Sequence, residues 1–155
     1  MTNYTKPMFI LVFCLAQVTL YAQEAKPGYN KALADSLGSD DYGMKSYVLV
    51  ILKTGPTDVQ EKSLRDSLFR GHMANINRLV ADGKLIVAGP LKKNDKTYRG
   101  IFILNVPTVE EARTLVLTDP AVSHGMLEME MYQWYGSAAL PMYLKYHDRI
   151  GKKSF

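Results

Sequence analysis

Hydrophobic positions along this chain follow the period of strands in four short runs and the period of helices in two longer segments. The strand-like runs are rich in β-branched and apolar residues and lie at 45–53, 85–88, 100–106 and 126–135. Helical spacing covers about 60–82, which Gly83 ends, and about 108–118, where Thr108 and Glu111 have the spacing of a capping box. The order β-α-β-β-α-β is the split βαβ pattern of ferredoxin-like folds. We therefore predict an α+β domain with a four-stranded antiparallel sheet.

The two strands that would be central in this fold, the first and the third, are apolar on both faces. Two helices cover only one face of such a sheet, so residues such as Val48, Val50 and Ile101 or their alternates remain to be covered on the other face. A second copy of the sheet is the simplest cover. We therefore predict a homodimer with sheets packed face to face, a dimeric α+β barrel.

The start of the chain has the pattern of a secretory signal. Lys6 precedes an apolar run over 8–21, and Ala22 is a small residue at the expected cleavage point. The run is short for a membrane span, so we expect an exported, periplasmic or secreted protein with no stable membrane anchor after cleavage. The sole cysteine, Cys14, lies inside this run, which excludes thiol catalysis by the mature chain.

The predicted organisation has four parts, and the formal net charge of +4 is unevenly spread over them. The parts are a signal peptide at 1–22, an N-terminal extension at 23–44 in which a short helix is expected at 30–37, the α+β domain at 45–136 and a basic C-terminal tail at 137–155. Once Lys6 is removed, the remaining positive charge is assigned to the last eleven residues, and the body is neutral. A neutral body with a solvated basic tail excludes a nucleic-acid surface, so we expect no nucleic-acid partner.

Two ionisable residues stand out because they lie at positions expected to be apolar. His72 falls near the centre of the apolar stripe of the first long helix, a stripe formed by Leu64, Leu68, Ile76, Leu79 and Val80. Asp119 lies on the face of the second helix that Ala112 defines. Asp119 has two explanations: it caps a one-turn helix beginning at Pro120, or it meets His72 where both helices pack on the sheet. His72 is correspondingly either a core histidine satisfied by a hydrogen bond or a general acid–base held by a carboxylate.

Other candidates are weaker. Arg65 lies two turns before His72 and could bind an anionic substrate, although solvation is the ordinary state of such a residue. Tyr132 and Trp134 could line an aromatic pocket or pack an interface. Glu128 and Glu130 on the polar face of the last strand could act as acid–base groups or be exposed paired charges. The spacing of the histidines and the motifs present indicate no metal site and no cofactor.

Several short motifs together resemble the YCII-related family of small α+β proteins. The resemblance covers roughly Met44–Gly136, and its motifs are His72, Gly83-Lys84-Leu85, Ala88-Gly89-Pro90-Leu91, Gly100, Glu111-Ala112, Asp119-Pro120 and Trp134-Tyr135. It implies a ferredoxin-like dimeric α+β barrel related to muconolactone isomerases and cofactor-free monooxygenases. It also implies a histidine and aspartate active-site pair, which corresponds to His72 and Asp119 here. The export signal, the N-terminal extension and the basic tail depart from the family pattern.

The leading functional hypothesis is a cofactor-independent acid–base enzyme of the isomerase or lyase type. It would act on a small, aromatic or lactone-like molecule through His72, which Asp119 would orient. The alternative is a non-catalytic dimeric module that binds a small-molecule ligand in the same cleft. A cleft beside His72 and a close contact with Asp119 would favour the enzyme.

Overall fold

A computed structural model of the chain describes Met1 and residues 26–152. Residues 2–22 of the predicted signal peptide, with Cys14, residues 23–25 of the extension and residues 153–155 of the basic tail lie outside this range. The four strands are β1 (Met44–Thr54), β2 (Leu85–Pro90), β3 (Tyr98–Leu104) and β4 (Leu127–Ser137). The helices are α1 (Lys31–Leu37), α2 (Lys62–Ala81), α3 (Val109–Val116), α4 (Pro120–Ser123) and α5 (Leu144–Ile150), with a 3-10 turn at Leu140–Tyr143. None of the helices formed within 26–152 is long and apolar enough to cross a membrane.

The strands form one antiparallel sheet in the order β2-β3-β1-β4. The first and third strands are central, with α2 and α3 as the crossover helices, which is the ferredoxin-like arrangement. The predicted fold class is therefore confirmed. The helix predicted in the N-terminal extension is confirmed as α1, which the side chain of Asn30 caps by accepting from the backbone N–H of Leu33. The homodimer stays a prediction.

One face of the sheet packs against α2, α3 and α4 and contains the core. Val50 of β1 pairs with Phe102 of β3 and Met131 of β4, so these three side chains point to the same face. The core residues from strands and helices include Val48, Val50, Leu52, Leu79, Leu85, Phe102, Leu104, Ala112, Val116 and Val122. The expectation that Val48 and Val50 lie on the uncovered face is thus wrong. Side chains alternate between the two faces along β1, so Leu49 and Ile51 lie on the uncovered face instead.

The opposite, open face of the sheet carries aliphatic side chains in its centre and polar groups at one end. Its half-buried aliphatic residues are Leu49, Ile51, Ile101 and Ile103. At one end the Lys53 ammonium lies 3.4 Å from Glu128 and 2.8 Å from Glu130. The hydrogen bond to Glu130 raises the pKa of Lys53, and the same bond lowers the pKa of Glu130. Both glutamates are therefore paired with a lysine, in agreement with the expectation that they are paired charges and not acid–base groups.

The ends of the two crossover helices follow local sequence signals only in part. Gly83 follows α2 with a φ of +67°, a left-handed conformation that glycine adopts without a Cβ penalty. At the start of α3 the Thr108 side chain accepts from the Glu111 N–H at 3.2 Å. Glu111 does not complete the capping box, because its carboxylate accepts from Lys84 at 3.1 Å instead. A tertiary ion pair thus replaces half of the predicted local motif.

The extension and the tail both contact the sheet. The Tyr135 hydroxyl of β4 donates to Asp40, and this bond raises the pKa of Tyr135 to about 12. Beyond β4, the residues predicted to form only a solvated tail form the 3-10 turn and α5. The Tyr143 hydroxyl donates to the carbonyl of Ile86, which joins this segment to β2.

Candidate active site

His72 lies in the middle of α2 and faces the sheet. It is 8% exposed and shares the buried side of the helix with Leu68, Asn75 and Leu79. The predicted stripe is only partly correct, because Leu64 and Val80 at its ends are more than one-third exposed. Sequence reasoning missed Asn75, a polar residue buried one turn after His72.

Asp119 lies in the link between α3 and α4 and is completely buried. Because α3 ends at Val116, the expectation that Asp119 extends the face of that helix is wrong. Asp119 is instead the N-cap of α4, with Pro120 in the first turn, and its Oδ1 accepts from the Ala121 N–H at 2.8 Å. The one-turn helix predicted from the Asp-Pro pair is confirmed.

The other carboxylate oxygen of Asp119 contacts the imidazole of His72. The distance from Oδ2 to His72 Nδ1 is 2.6 Å, and the pair is buried. The two explanations of Asp119 therefore hold together, one for each oxygen. A carboxylate only accepts hydrogen bonds, so Nδ1 carries the hydrogen and Nε2 is the nitrogen that can react. This is the geometry of a histidine whose tautomer and ring orientation are set by a carboxylate.

Two phenylalanines hold the imidazole from its sides. The Phe102 ring of β3 lies nearly parallel to it at 6.0 Å between centroids, and the Phe69 ring of α2 lies at 5.9 Å with a 37° tilt. The His72 side chain keeps 10% of its surface exposed. Among the described residues, Asn75 Nδ2 is the one side-chain polar atom that is both inaccessible to solvent and without a hydrogen-bond partner. Nε2 of His72 is therefore not an atom of this kind. The ring is thus fixed in place without being wholly enclosed.

A second polar cluster anchors the segment that carries Asp119 to α2. Thr118 Oγ1 lies 2.9 Å from Asn75 Oδ1 and 2.6 Å from the Leu115 carbonyl, so its one hydrogen is shared between these two acceptors. The Arg78 guanidinium donates to both Thr118 Oγ1 and Asn75 Oδ1 at 2.8 Å. Gly71 lets α4 approach α2, since a Cβ there would lie 2.8 Å from Pro120 Cγ. Thr118 directly precedes Asp119, so these contacts restrict where the carboxylate can lie. We call Asn75, Arg78 and Thr118 the α2 clamp.

The structure separates the remaining candidates from one another. Arg65 lies on the exposed part of α2, where its Nη1 donates to the Val59 carbonyl at 3.1 Å. Tyr132 and Trp134 lie on the open face, on the side of the sheet away from His72, and are 51% and 36% exposed. Within one chain these aromatic residues therefore cannot line a pocket at His72. Within the described part of the chain, His, Cys, Asp and Glu side chains form no group of three or more that could hold a metal ion.

Three comparisons with known proteins give a family and a similar solved structure. The family model described as "YCII-related domain" matches residues 46–135, more than half of the chain, which confirms the resemblance in the sequence. Among solved structures, the chain is similar to 5-chloro-2-hydroxyhydroquinone dehydrochlorinase from Burkholderia phenoliruptrix AC1100 in complex with 2,5-dihydroxybenzoquinone. That match has 25% identity and a TM-score of 0.41, and covers 57% of this chain and 92% of that one. Comparison with curated proteins gives no match.

Proposed function

The chain belongs to the YCII-related domain family, and from this premise we propose that it is a cofactor-independent acid–base enzyme of the isomerase or lyase type. Its substrate would be a small aromatic or lactone-like molecule. The observation that carries the proposal is the 2.6 Å contact between His72 Nδ1 and Asp119 Oδ2. Any acceptor on Nδ1–H would leave Nε2 as the proton-accepting nitrogen, but a carboxylate also stabilises the imidazolium that forms when Nε2 takes up a proton.

The proposed reaction begins with neutral His72, whose Nδ1–H donates to Asp119. Nε2 removes a proton from a carbon next to an electron-withdrawing group, and the electron pair moves into the conjugated system. Asp119 stabilises the imidazolium that forms. In an isomerisation the same proton returns to another carbon. In an elimination the electron pair forms a double bond and expels a leaving group as an anion, and the imidazolium then gives its proton to water, which restores neutral His72. General acid–base catalysis of this kind contributes on the order of 100- to 10,000-fold.

The proposal includes a homodimer and export. Leu49, Ile51, Ile101 and Ile103 support the dimer, since a half-buried aliphatic surface at the centre of a sheet is normally covered. Lys6 and the apolar run over 8–21 support export.

A second candidate is a non-catalytic dimeric module that binds a small molecule. The low exposure of the pair favours it, because the His72 side chain is only 10% exposed and Asp119 not at all. A ligand of such a module would contact the imidazole without exchanging a proton with it.

Turnover and binding assays on matched variants separate the two functions. Muconolactone isomerisation and chloride release from 5-chloro-2-hydroxyhydroquinone are measured for the natural chain, His72→Gln and Asp119→Asn, with His124→Gln as the control. His124 is an exposed histidine that follows α4, outside the pair. We expect turnover of one probe that falls about 100- to 10,000-fold in His72→Gln and is unchanged in His124→Gln.

Two results would decide against the enzyme. Turnover that His72→Gln retains would mean that the pair is not the acid–base group. Thermal stabilisation by a probe that is not turned over, and that His72→Gln abolishes, would identify the binding module instead.

A further inference from the structure

The two turns of α2 before His72 form a surface groove that the proposed proton transfer does not use. Arg65, Asp66, Phe69 and Arg70 line it, and we call it the α2 groove. Arg65 lies two turns before His72 and only about 20° from it around the helix axis. His72 is not among the residues that line the groove, which lies on the part of α2 directly before it.

Phe69 is the residue that joins the groove to His72. Phe69 is 57% exposed, which is a large fraction for an aromatic residue. The centroid of its ring lies 5.9 Å from the centroid of the His72 imidazole. Residues three apart on a helix are neighbours, so one part of the ring contacts His72 and the rest is open. An exposed aromatic face is a surface on which a planar conjugated molecule stacks, in an offset or edge-to-face arrangement. A ring bound there would have its edge beside the imidazole.

The charges of the α2 groove are mostly positive. Arg65 and Arg70 each contribute a guanidinium, and the single carboxylate, Asp66, accepts a hydrogen bond from Lys62 outside the groove. This bond, together with the weaker influence of both arginines, lowers the pKa of Asp66. Arg65 is anchored through Nη1 on the Val59 carbonyl, which leaves its other N–H groups to face a ligand. A guanidinium held in this way is suited to bidentate recognition of a carboxylate.

We propose that the α2 groove is the recognition site for the substrate of His72 and that it selects planar, conjugated carboxylates. The ring stacks on Phe69, the carboxylate pairs with Arg65 while Arg70 adds to the positive field, and the reacting carbon lies near His72 Nε2. Asp119 occupies Nδ1, so Nε2 is the nitrogen that such a ligand meets. This inference rests on the proposed function and adds to it the chemical class of the substrate.

Binding of two nearly isosteric probes to the full chain tests the inference. The probes are 4-fluorobenzoate and its neutral counterpart 4-fluorobenzamide, followed by fluorine NMR and by the imidazole resonances of His72. The variants are Arg65→Gln and Phe69→Leu. Arg113→Gln, which removes an exposed arginine of α3 away from the groove, is the control for net charge. Thermal melting of each variant shows that the fold is kept.

We expect the benzoate to bind at least about tenfold more tightly than the benzamide and to shift the His72 resonances. Arg65→Gln and Phe69→Leu should each weaken benzoate binding by about tenfold, and Arg113→Gln should leave it unchanged. Equal affinity for both probes, no binding of the benzoate, or equal losses in Arg65→Gln and Arg113→Gln would overturn the inference. So would binding that leaves the His72 resonances in place.

These failures differ from failure of the proposed function. If a probe is turned over in a His72-dependent manner but the benzoate does not bind, only the substrate class is wrong. If the benzoate binds beside His72 but His72→Gln leaves every turnover unchanged, the groove is a binding site and the acid–base role is wrong.

Discussion

Replacing Asp119 by asparagine should reverse the tautomer of His72. The two side chains have the same shape, but an amide has only one acceptor oxygen. That oxygen is needed where Oδ1 now accepts from the Ala121 N–H at 2.8 Å. The amide NH₂ then takes the place of Oδ2 and points at His72 Nδ1, 2.6 Å away in the natural chain. A donor there forces Nδ1 to accept, so the hydrogen moves to Nε2.

The magnitude follows from the burial of both groups. The reverse amide orientation leaves the buried Ala121 N–H unpaired at a cost of about 1–3 kcal/mol, which disfavours it by about 5- to 150-fold. A neutral bond replaces one that involved a carboxylate, so the free energy of unfolding should fall by about 1 kcal/mol. With Nε2 protonated, the imidazole cannot begin as a base. A tautomer reversal of this kind costs about 10,000-fold in kcat in a Ser-His-Asp triad.

Nitrogen-15 NMR of labelled histidine measures the tautomer directly, and His72→Gln assigns the resonances. Urea unfolding and probe turnover measure the other two effects, with Asp95→Asn in the exposed β2–β3 connection as the control. We expect Nε2–H in Asp119→Asn and Nδ1–H in both the natural chain and the control. If Asp119→Asn keeps the hydrogen on Nδ1, or if turnover persists with it on Nε2, the assignment of Nε2 as the base is refuted.

Three further predictions concern the support of the pair and the open sheet face. Gly71→Ala places a methyl group against Pro120. We therefore expect the free energy of unfolding in urea to fall by about 1–3 kcal/mol and the His72 resonance to shift. Unchanged values would show that α4 moves away from α2 at no cost. Thr118→Val removes the hydroxyl that contacts Asn75 Oδ1 and accepts from Arg78, and should cost about 1–3 kcal/mol in the same assay while reducing turnover. Ile51→Lys places a charge on the open face and should convert the predicted dimer to a monomer in light scattering, and a natural chain that is already monomeric would contradict the dimer.

The local patterns of the sequence determined the elements and much of their orientation. Strand periodicity placed Glu128 and Glu130 together on the polar face of the last strand, and the structure has Met129 and Met131 on the opposite, core face, because side-chain direction alternates with every residue. The Asp-Pro pair at 119–120 indicated α4 as one of two explanations of Asp119, because capping involves only neighbouring residues.

Signals that depend on distant residues were predicted less well. Glu111 has the spacing of a capping residue, but Lys84 competes for its carboxylate. Asn75 lies on the buried side of α2, and its polar contact is with Thr118, 43 residues later, which no helical pattern contains. The one signal in the sequence was the position of Asn75, a polar residue three positions after His72 on the same face of the helix.

The sequence by itself therefore determined the fold class, the strand order along the chain and the two residues of the candidate pair. Only the tertiary structure decided that His72 and Asp119, 47 residues apart, meet at hydrogen-bond distance, and that Asp119 caps α4 with its other oxygen. It also decided that Tyr132 and Trp134 lie on the opposite side of the sheet from the pair. The physical reason is that periodicity and capping are properties of adjacent residues, whereas a site is formed by the packing of elements that the sequence keeps far apart.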